Sequence, residues 1–446
     1  MKVTVVIVTW NGRSHLETCL PAVRDQKVRG FEHEVLVLDN GSTDGTVDWL
    51  RAEHPWVRLI ESPVNLGFCG GNNRAIEAAE GDAVVLLNND TRPHVDWLQA
   101  LVDALASAPD DVAAISGQII DWDGKHLDFA RGIMTFDGHA FQLDTGRPLA
   151  SVEQPPSGAE LLFACGGNMI VRRDSFLAAG GFDDGYFAYL EDVDLGWRLW
   201  SGGERVLYAP EAIVHHRSMA TSERLGQHNR GFLFERNAFL TVHKNFESGL
   251  WERMMPAILL TLTHRTQALL VQNNPGGDQL LINPYAGLIA DTGITEDPPP
   301  AFEPSPPPSP TLLEKWRGYG PKNFVRRGLR KALHMTLPDW VFEDPNAPPV
   351  PELPNDIPRL EDGRTVAQFR ALSHLLGNLD RAAETRQRVQ ARRQRSDREI
   401  FERFPLYVVP TYPGDERLFE GGAFQQWLPD DIPIEHRTLG DIMALD

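Results

Sequence analysis

Cysteine is scarce: Cys19, Cys69 and Cys165 are the only three in 446 residues. They are too few and too scattered for a disulfide framework or a zinc cluster, which fits a reducing compartment. Basic charge is also in deficit. Lys and Arg number 43 against 62 Asp and Glu, a formal net charge of −19, and a general nucleic-acid binder, which needs a basic domain, is excluded. No run of 18 apolar residues occurs, so no spanning helix is expected. The apolar run Val3–Val8 is too short for a signal sequence, and Trp10-Asn11-Gly12 follows it instead of a cleavage site. It reads as a buried strand, and a cytoplasmic protein is the expectation.

Glycine (38) and proline (33) make up about 16% of the chain, too little for a collagen-like or wholly disordered protein. The prolines cluster late. Eight fall within residues 298–310 and six within 345–358, predicting extended spacers that join neither helix nor central strand. The first half alternates short apolar runs (Val3–Val8, Glu34–Leu38, Val57–Ile60, Ala83–Leu87) with helical patterns such as Leu16, Leu20, Val23. That alternation predicts βαβ units and a mostly parallel sheet covered on both faces. The polar clusters sit where strands end, which is where open α/β sheets bind ligands.

Several clusters carry chemistry. Leu38-Asp39-Asn40-Gly41-Ser42 puts a carboxylate at a strand end; it is equally readable as a helix-capping turn. Asn65 to Asn73 is a glycine-rich turn beside a predicted helix start, a suitable environment for phosphate oxygens, although it matches neither the dinucleotide fingerprint nor the P-loop. Cys69 within it reads as a packed side chain. Asn88-Asn89-Asp90-Thr91 suits an oxygen-liking divalent ion or an Asx turn. Glu191-Asp192-Val193-Asp194 places three acids among Phe187, Tyr189, Leu190 and Trp197. Desolvation raises a carboxylate pKa towards general-base use, while a helix N-terminus also favours acids. His215 and His216 are adjacent on a predicted strand and point to opposite faces, so at most one joins the site.

Taken in order, the motifs Thr9-Trp10-Asn11-Gly12, Leu38 to Thr46, Asn65 to Asn73, Leu86 to Thr91, Gly180-Gly181-Phe182-Asp183 and Glu191 to Leu195 resemble the family 2 glycosyltransferases. Arg236-Asn237 and Lys244-Asn245 also fit. The likeness covers about residues 1–247 and is strongest to the rhamnosyltransferase-like branch of these GT-A-fold, inverting enzymes. It implies an α/β fold, a Rossmann-like, mostly parallel twisted sheet flanked by helices, with a helical, proline-interrupted C-terminal extension. It further implies that Asp39 reads the nucleobase, with Thr9, Trp10, Asn11, Asn40, Ser42, Asn65, Asn89 and the Gly70-Gly71-Asn72 loop around the nucleoside and phosphates. Asp90 and His216 would hold Mn²⁺ or Mg²⁺, Asp192 would be the base with Glu191 beside it, and Gly167, Tyr189 and Asp194 would meet sugar or acceptor. Trp10, Phe187, Tyr189 and Trp197 are candidates to stack on a sugar face, or to be core.

The implied reaction moves a sugar from a nucleoside diphosphate donor, dTDP-rhamnose or a UDP-sugar, to a hydroxyl of a glycan or lipid-linked acceptor, in cell-surface polysaccharide assembly. A non-catalytic nucleotide-sugar-binding module and a sugar nucleotidylyltransferase are the alternatives. The domain expectation is a catalytic domain over 1–247, a packed helical extension over 248–297, a linker over 298–310 and a basic, helical region over 311–446. Residues 364–404 read as one long Arg-rich helix. Basic charge at 315–331 and 381–403 is where an anionic partner, such as a membrane surface reached through 311–340, is expected.

Overall fold

The structure, a computed structural model, describes residues 1–217, 226–277 and 360–444. Chain contacts divide it into one compact unit, Met1–Leu269 with Glu361–Asp446, and a second, Leu270–Leu360. Nearly all of the second lies outside the described residues. So do the proline-rich segments 298–310 and 345–358 and the basic stretch 311–340, with the membrane contact expected of it. Among the described residues no helix is long and apolar enough to cross a membrane.

The first unit opens with β1 (Lys2–Thr9), α1 (Arg13–Arg24), β2 (Glu32–Asp39), α2 (Thr46–Glu53), β3 (Arg58–Glu61), α3 (Gly67–Ala78) and β4 (Ala83–Leu87). The strands are rich in Val, Ile and Leu, and all five residues of β4 are buried. Burial on both faces is the physical requirement of parallel strands crossed by helices. β1 pairs in parallel with both β2 and β4, and β2 with β3.

The second half of the sheet is mixed, which corrects the expectation of a mostly parallel sheet: among the described residues four pairings of the main sheet are parallel and four antiparallel. It comprises β5 (Thr91–Pro93), then, after α4 (Trp97–Ser107), β6 (Val112–Asp121) and β7 (Leu127–Phe129). The hairpin of β8 (Gly132–Met134) and β9 (Ala140–Gln142) stands apart from the main sheet, which resumes with β10 (Asn168–Arg172). β10 inserts antiparallel between β4 and β6. After α5 (Arg173–Ala178) and α6 (Glu191–Ser201), β11 (Arg205–His216) runs parallel to β6 and antiparallel to the edge strand β5. The order among the described residues is β3-β2-β1-β4-β10-β6-β11-β5, with β7 on β6. This is the GT-A-like arrangement, with its parallel pairing concentrated in the N-terminal half.

Two helices follow, α7 (Gly226–Asn245) and α8 (Ser248–Asn273). Met254, Ala257 and Ile258 of α8 are buried in the same core as Val242 of α7 and Phe246 just beyond it. The stretch expected as one long helix is three: α9 (Gly363–Gly377), α10 (Leu379–Gln390) and α11 (Asp397–Phe401). Asn378 breaks it at φ −130°, its side chain turning back to the His374 carbonyl (2.7 Å), and Ser396 starts α11 with a capping box to Glu399. Short strands β12 (Leu406–Val408) and β13 (Ile434–His436) pair in parallel near the end of the unit.

The breaks have a purpose in packing, which takes Arg386 and Arg395 out of the basic stretch 381–403, while Arg381, Arg388, Arg392, Arg398 and Arg403 stay exposed. A helix end leaves its last carbonyls without intrahelical partners, and cations satisfy them best. Arg386 bonds the carbonyl of Phe246 (2.7 Å) and Gln390 those of Lys244 (2.9 Å) and Asn245 (3.0 Å), at the end of α7. Arg395 bonds those of Trp200 (2.8 Å), Gly203 (3.0 Å) and Glu204 (3.0 Å), at the end of α6. These cations are spent on the protein's own helix ends.

Candidate active site

A cavity of about 560 Å³ opens where β1, β2 and β4 end, a size suited to a small organic ligand. Thr9, Trp10, Asn40, Asn65 and Asn89 line it from the expected nucleotide side. Asp90 and His216 line it too, as do Glu191, Asp192, Gly167 and Tyr189. Most of the scattered motifs therefore converge, but the expected nucleotide residues Asn11, Asp39 and Ser42 are not among those that line the cavity.

Asp39, at the end of β2, is buried. Its Oδ1 accepts from the backbone N–H groups of Gly41 (3.1 Å) and Ser42 (2.9 Å), while Oδ2 is buried with no partner among the described residues. An orphaned carboxylate oxygen is costly unless a ligand donor meets it. Around it the loops are knitted together. Asn11 donates its N–H to Ser42 Oγ (2.7 Å) and accepts from Thr43 N–H (2.7 Å). Asn40 grips Leu66 N–H (3.1 Å) and Gly67 carbonyl (2.8 Å). Asn89 donates to Thr9 Oγ1 (2.8 Å), and a Cβ at Gly12 would lie 2.4 Å from both side chains.

The expectation for Gly70, Gly71 and Asn72 is corrected. They lie inside α3, so their N–H groups belong to the helix ladder and not to a phosphate cradle. A Cβ at Gly71 would come within 2.8 Å of Val8, so this glycine lets α3 close on β1, and Asn72 bonds the Phe68 carbonyl (2.9 Å). Asn65, Gly67 and Phe68 are what this segment gives the cavity. Cys69 is fully buried, a packed side chain as read.

His216 Nε2 stands 3.3 Å from Asp90 Oδ1, and Nδ1 lies 2.8 Å from Asp128 Oδ2. His215 points the other way, Nε2 to Nε2 with His94 at 2.9 Å. Burial disfavours a charged His216, but Asp128 and Asp90 outweigh it and raise its pKa to about 10. Burial also pushes Asp90 up, but the same contact outweighs it and holds that carboxyl below the usual range. Asp90 and His216 are the two donors that would hold a divalent cation, with Asp128 orienting the imidazole from behind. To bind it, His216 would have to give up its proton. No group of three or more His, Cys, Asp or Glu side chains is placed to hold a metal ion among the described residues. Asp128 was not legible in the sequence. The alternation in β7, with Leu127 and Phe129 buried, puts it on the other face but does not say what it meets there.

Asp192 sits in the first turn of α6, where the dipole favours acids. Its oxygens accept from Gly166 N–H (3.1 Å) and Val193 N–H (2.9 Å). Burial raises its pKa, and those two bonds oppose the rise. Glu191 is raised by burial and then by the adjacent Asp192, and its Oε2 has no partner among the described residues. Asp194 takes no acceptor role here. It is fully buried and bound to Arg198 (2.8 Å), Lys244 (2.9 Å) and Asn245 (2.8 Å). Trp197 is core, packed on Phe246 and Phe401.

The loop leading into α6 is strained. Phe187, Tyr189 and Leu190 have φ of 65°, 71° and 62°, at about 1–3 kcal/mol each. Asn237 of α7 holds it, donating to the carbonyls of Tyr186 (3.2 Å), Ala188 (2.9 Å) and Tyr189 (2.8 Å). Arg236 adds a bond to the Tyr186 carbonyl (2.8 Å). Asn237→Ala is therefore expected to lower kcat about 10²-fold by misplacing Asp192 while leaving nucleotide affinity intact, a split read by steady-state kinetics beside calorimetry.

Residues 4–178 match the family model described as glycosyl transferase family 2. Over 245 residues the chain is 32% identical to the N-acetylglucosaminyl-diphospho-decaprenol L-rhamnosyltransferase of Mycobacterium tuberculosis, a match spanning 50% of this chain and 79% of that protein. It is 27% identical over 241 residues to the amylovoran biosynthesis glycosyltransferase AmsB of Erwinia amylovora, spanning 51% of this chain and 72% of the relative. The solved mannosyltransferase PcManGT of Pyrobaculum calidifontis aligns over 84% of this chain and 86% of its own, at 17% identity and a TM-score of 0.41.

Proposed function

Since the chain belongs to glycosyl transferase family 2, we propose that it is an inverting, metal-dependent enzyme that moves a sugar from a nucleoside diphosphate to an acceptor hydroxyl. The observation that carries the reading is one cavity lined by Asp90, His216 and Asp192 together. Asp39 Oδ2 accepts from the nucleobase, with Thr9, Trp10, Asn65 and Asn89 around the nucleoside and phosphates. When bound by Asp90 and His216, a divalent cation offsets the charge that builds on the leaving diphosphate. Asp192 takes the proton of the acceptor hydroxyl as it attacks the anomeric carbon from the opposite face. By likeness to the mycobacterial rhamnosyltransferase, dTDP-rhamnose is the first donor to try and a lipid-linked glycan the first acceptor class, in cell-surface polysaccharide assembly.

The test is incubation with labelled nucleotide sugars and Mn²⁺. Transfer, or slow donor hydrolysis, that stops on chelation is expected, and a donor at 100 times its Kd should add about 2.7 kcal/mol of stability in thermal shift. Tight donor binding with no turnover would make the chain a binding module. Asp39→Ala should weaken nucleotide binding about tenfold or more, the worth of a charge-assisted hydrogen bond, with Mn²⁺ affinity unchanged.

A further inference from the structure

We propose that the cavity accepts only an uncharged sugar for transfer and rejects, by charge, donors whose sugar carries a carboxylate, the uronic acids. The inference rests on the transferase reading above and names the class of sugar that the site takes. The anomeric carbon has to lie within reach of both the leaving diphosphate and the hydroxyl that Asp192 deprotonates. The transferred sugar therefore sits between Asp90 and His216 on one side and Glu191 and Asp192 on the other.

That space is set with negative groups. Asp90, Asp128, Glu191 and Asp192 line the cavity with one imidazole, His216, and none of its described lining residues is Lys or Arg. Nearby cations are engaged elsewhere. Arg217, next to His216, lies over the Trp122 ring at 4.2 Å. Arg198 of α6 and Lys244 of α7 are bound to Asp194 at 2.8 and 2.9 Å. The divalent cation that Asp90 and His216 would hold is matched by the donor's own diphosphate, which leaves nothing for a second anion. A cleft lined by one sign of charge repels that sign. The cavity already resists its own carboxylates: burial and then Asp192 raise the Glu191 pKa to about 8.

Glu191 supplies the attractive half of the selection. It lines the cavity, is only 7% exposed, and its Oε2 has no partner among the described residues. Its contacts put it on the donor side. A Cβ at Gly166 would lie 3.2 Å from the Phe68 ring and 3.8 Å from Glu191 Oε1, and Phe68 follows the turn that Asn40 holds through Leu66 and Gly67. A buried oxygen without a partner is costly. A sugar hydroxyl, donor and acceptor at once, satisfies it whether or not Glu191 carries its proton. An ionised sugar carboxylate only accepts, so it meets an ionised Glu191 with no hydrogen between them.

The test measures equilibrium binding to the full chain by calorimetry with Mn²⁺ present. UDP-glucose is compared with UDP-glucuronic acid, and dTDP-glucose with dTDP-glucuronic acid, each pair differing only in a hydroxymethyl or a carboxylate on the ring. Bare UDP and dTDP are the references. For the base that binds, the neutral sugar nucleotide is expected to bind about thirtyfold more tightly, the effect of one pair of like charges about 8 Å apart in a protein's effective dielectric. Glu191→Gln combined with Asp192→Asn, which removes both carboxylates of the pair, should narrow that gap severalfold. Equal affinity within the pair, or tighter binding of the uronate, overturns the proposal. A gap that the double variant leaves unchanged overturns it too, because the rejection would then come from shape. Failure of both bare diphosphates to bind overturns the transferase reading itself, and the proposal with it.

Discussion

Asp192→Asn keeps nucleotide affinity and lowers glycosyl transfer by about 10²–10⁴-fold, the range of a lost general base. The side chain keeps its shape and its single oxygen still accepts from one of the two backbone N–H donors at Gly166 and Val193, but no carboxylate is left to take the proton. Glu191→Gln is the control. Burial and the neighbouring carboxylate push Glu191 up, and its Oε2 meets no donor among the described residues, whereas two backbone N–H groups oppose the rise at Asp192, so Asp192 is the better suited of the pair to serve as base. Transfer by Glu191→Gln should therefore persist within about threefold, well short of a lost base. Wild-type rate in Asp192→Asn, or equal loss in both variants, would sink the assignment. The pH dependence has a definite sign. Because burial raises the Asp192 pKa, kcat/KM falls on acidification at a higher pH than an exposed aspartate would dictate, and this acid limb is absent from the residual activity of Asp192→Asn.

Arg265→Met destabilises the protein by about 3–5 kcal/mol, the cost of breaking a buried ion pair from one side. Arg265 of α8 is 3% exposed and meets Asp137 at 2.6 Å and Asp415 at 3.0 Å. Asp137 lies in the turn between β8 and β9, and Asp415 belongs to the C-terminal segment. His139 completes the cluster, 3.2 Å from Asp137 and 3.5 Å from Glu235 of α7. Removing the guanidinium leaves Asp137 and Glu235 with one imidazole and buried Asp415 with backbone N–H groups of Thr411 and Tyr412 but no cation. Chemical denaturation should give a lower midpoint with an unchanged slope, and a loss under about 1 kcal/mol would show that water reaches the site. The cluster also ties stability to pH. Burial lowers the His139 pKa, but Asp137 and Glu235 outweigh it and raise it to about 10. The stabilisation it supplies is complete below its unfolded pKa of about 6.5 and is lost as pH rises towards 10. His139→Gln should flatten that alkaline decline.

Much of the catalytic domain was legible because its signals are local. Apolar runs ending in polar clusters are the pattern of parallel strands with a site at their carboxyl ends. Asp39, Asp90 and His216 stood out for that reason, and Asp192 as one of three acids set among apolar residues. Asn237 was noticed only as part of a motif, and nothing local says that its amide holds three carbonyls of a strained loop. Gly70 to Asn72 misled for a related reason. Glycines next to a helix start resemble a phosphate cradle, and only their packing on Val8 assigns them to the helix itself.

The C-terminal region marks the other side of the divide. Arg386 and Arg395 belonged to a run expected to meet an anionic partner, because sequence reports charge but not the carbonyls that charge will meet. Asp128 and Met443 reach the cavity from a three-residue strand and from a segment more than 200 residues beyond Asp192. By itself the sequence determined the alternation of the first four strands with helices, their apolar core and the polar clusters at their ends, since these follow from neighbours a few residues apart. Only the tertiary structure decided which carboxylate is desolvated, which histidine faces Asp90 and which distant side chains wall the cavity. Those depend on distances between residues that the chain keeps far apart.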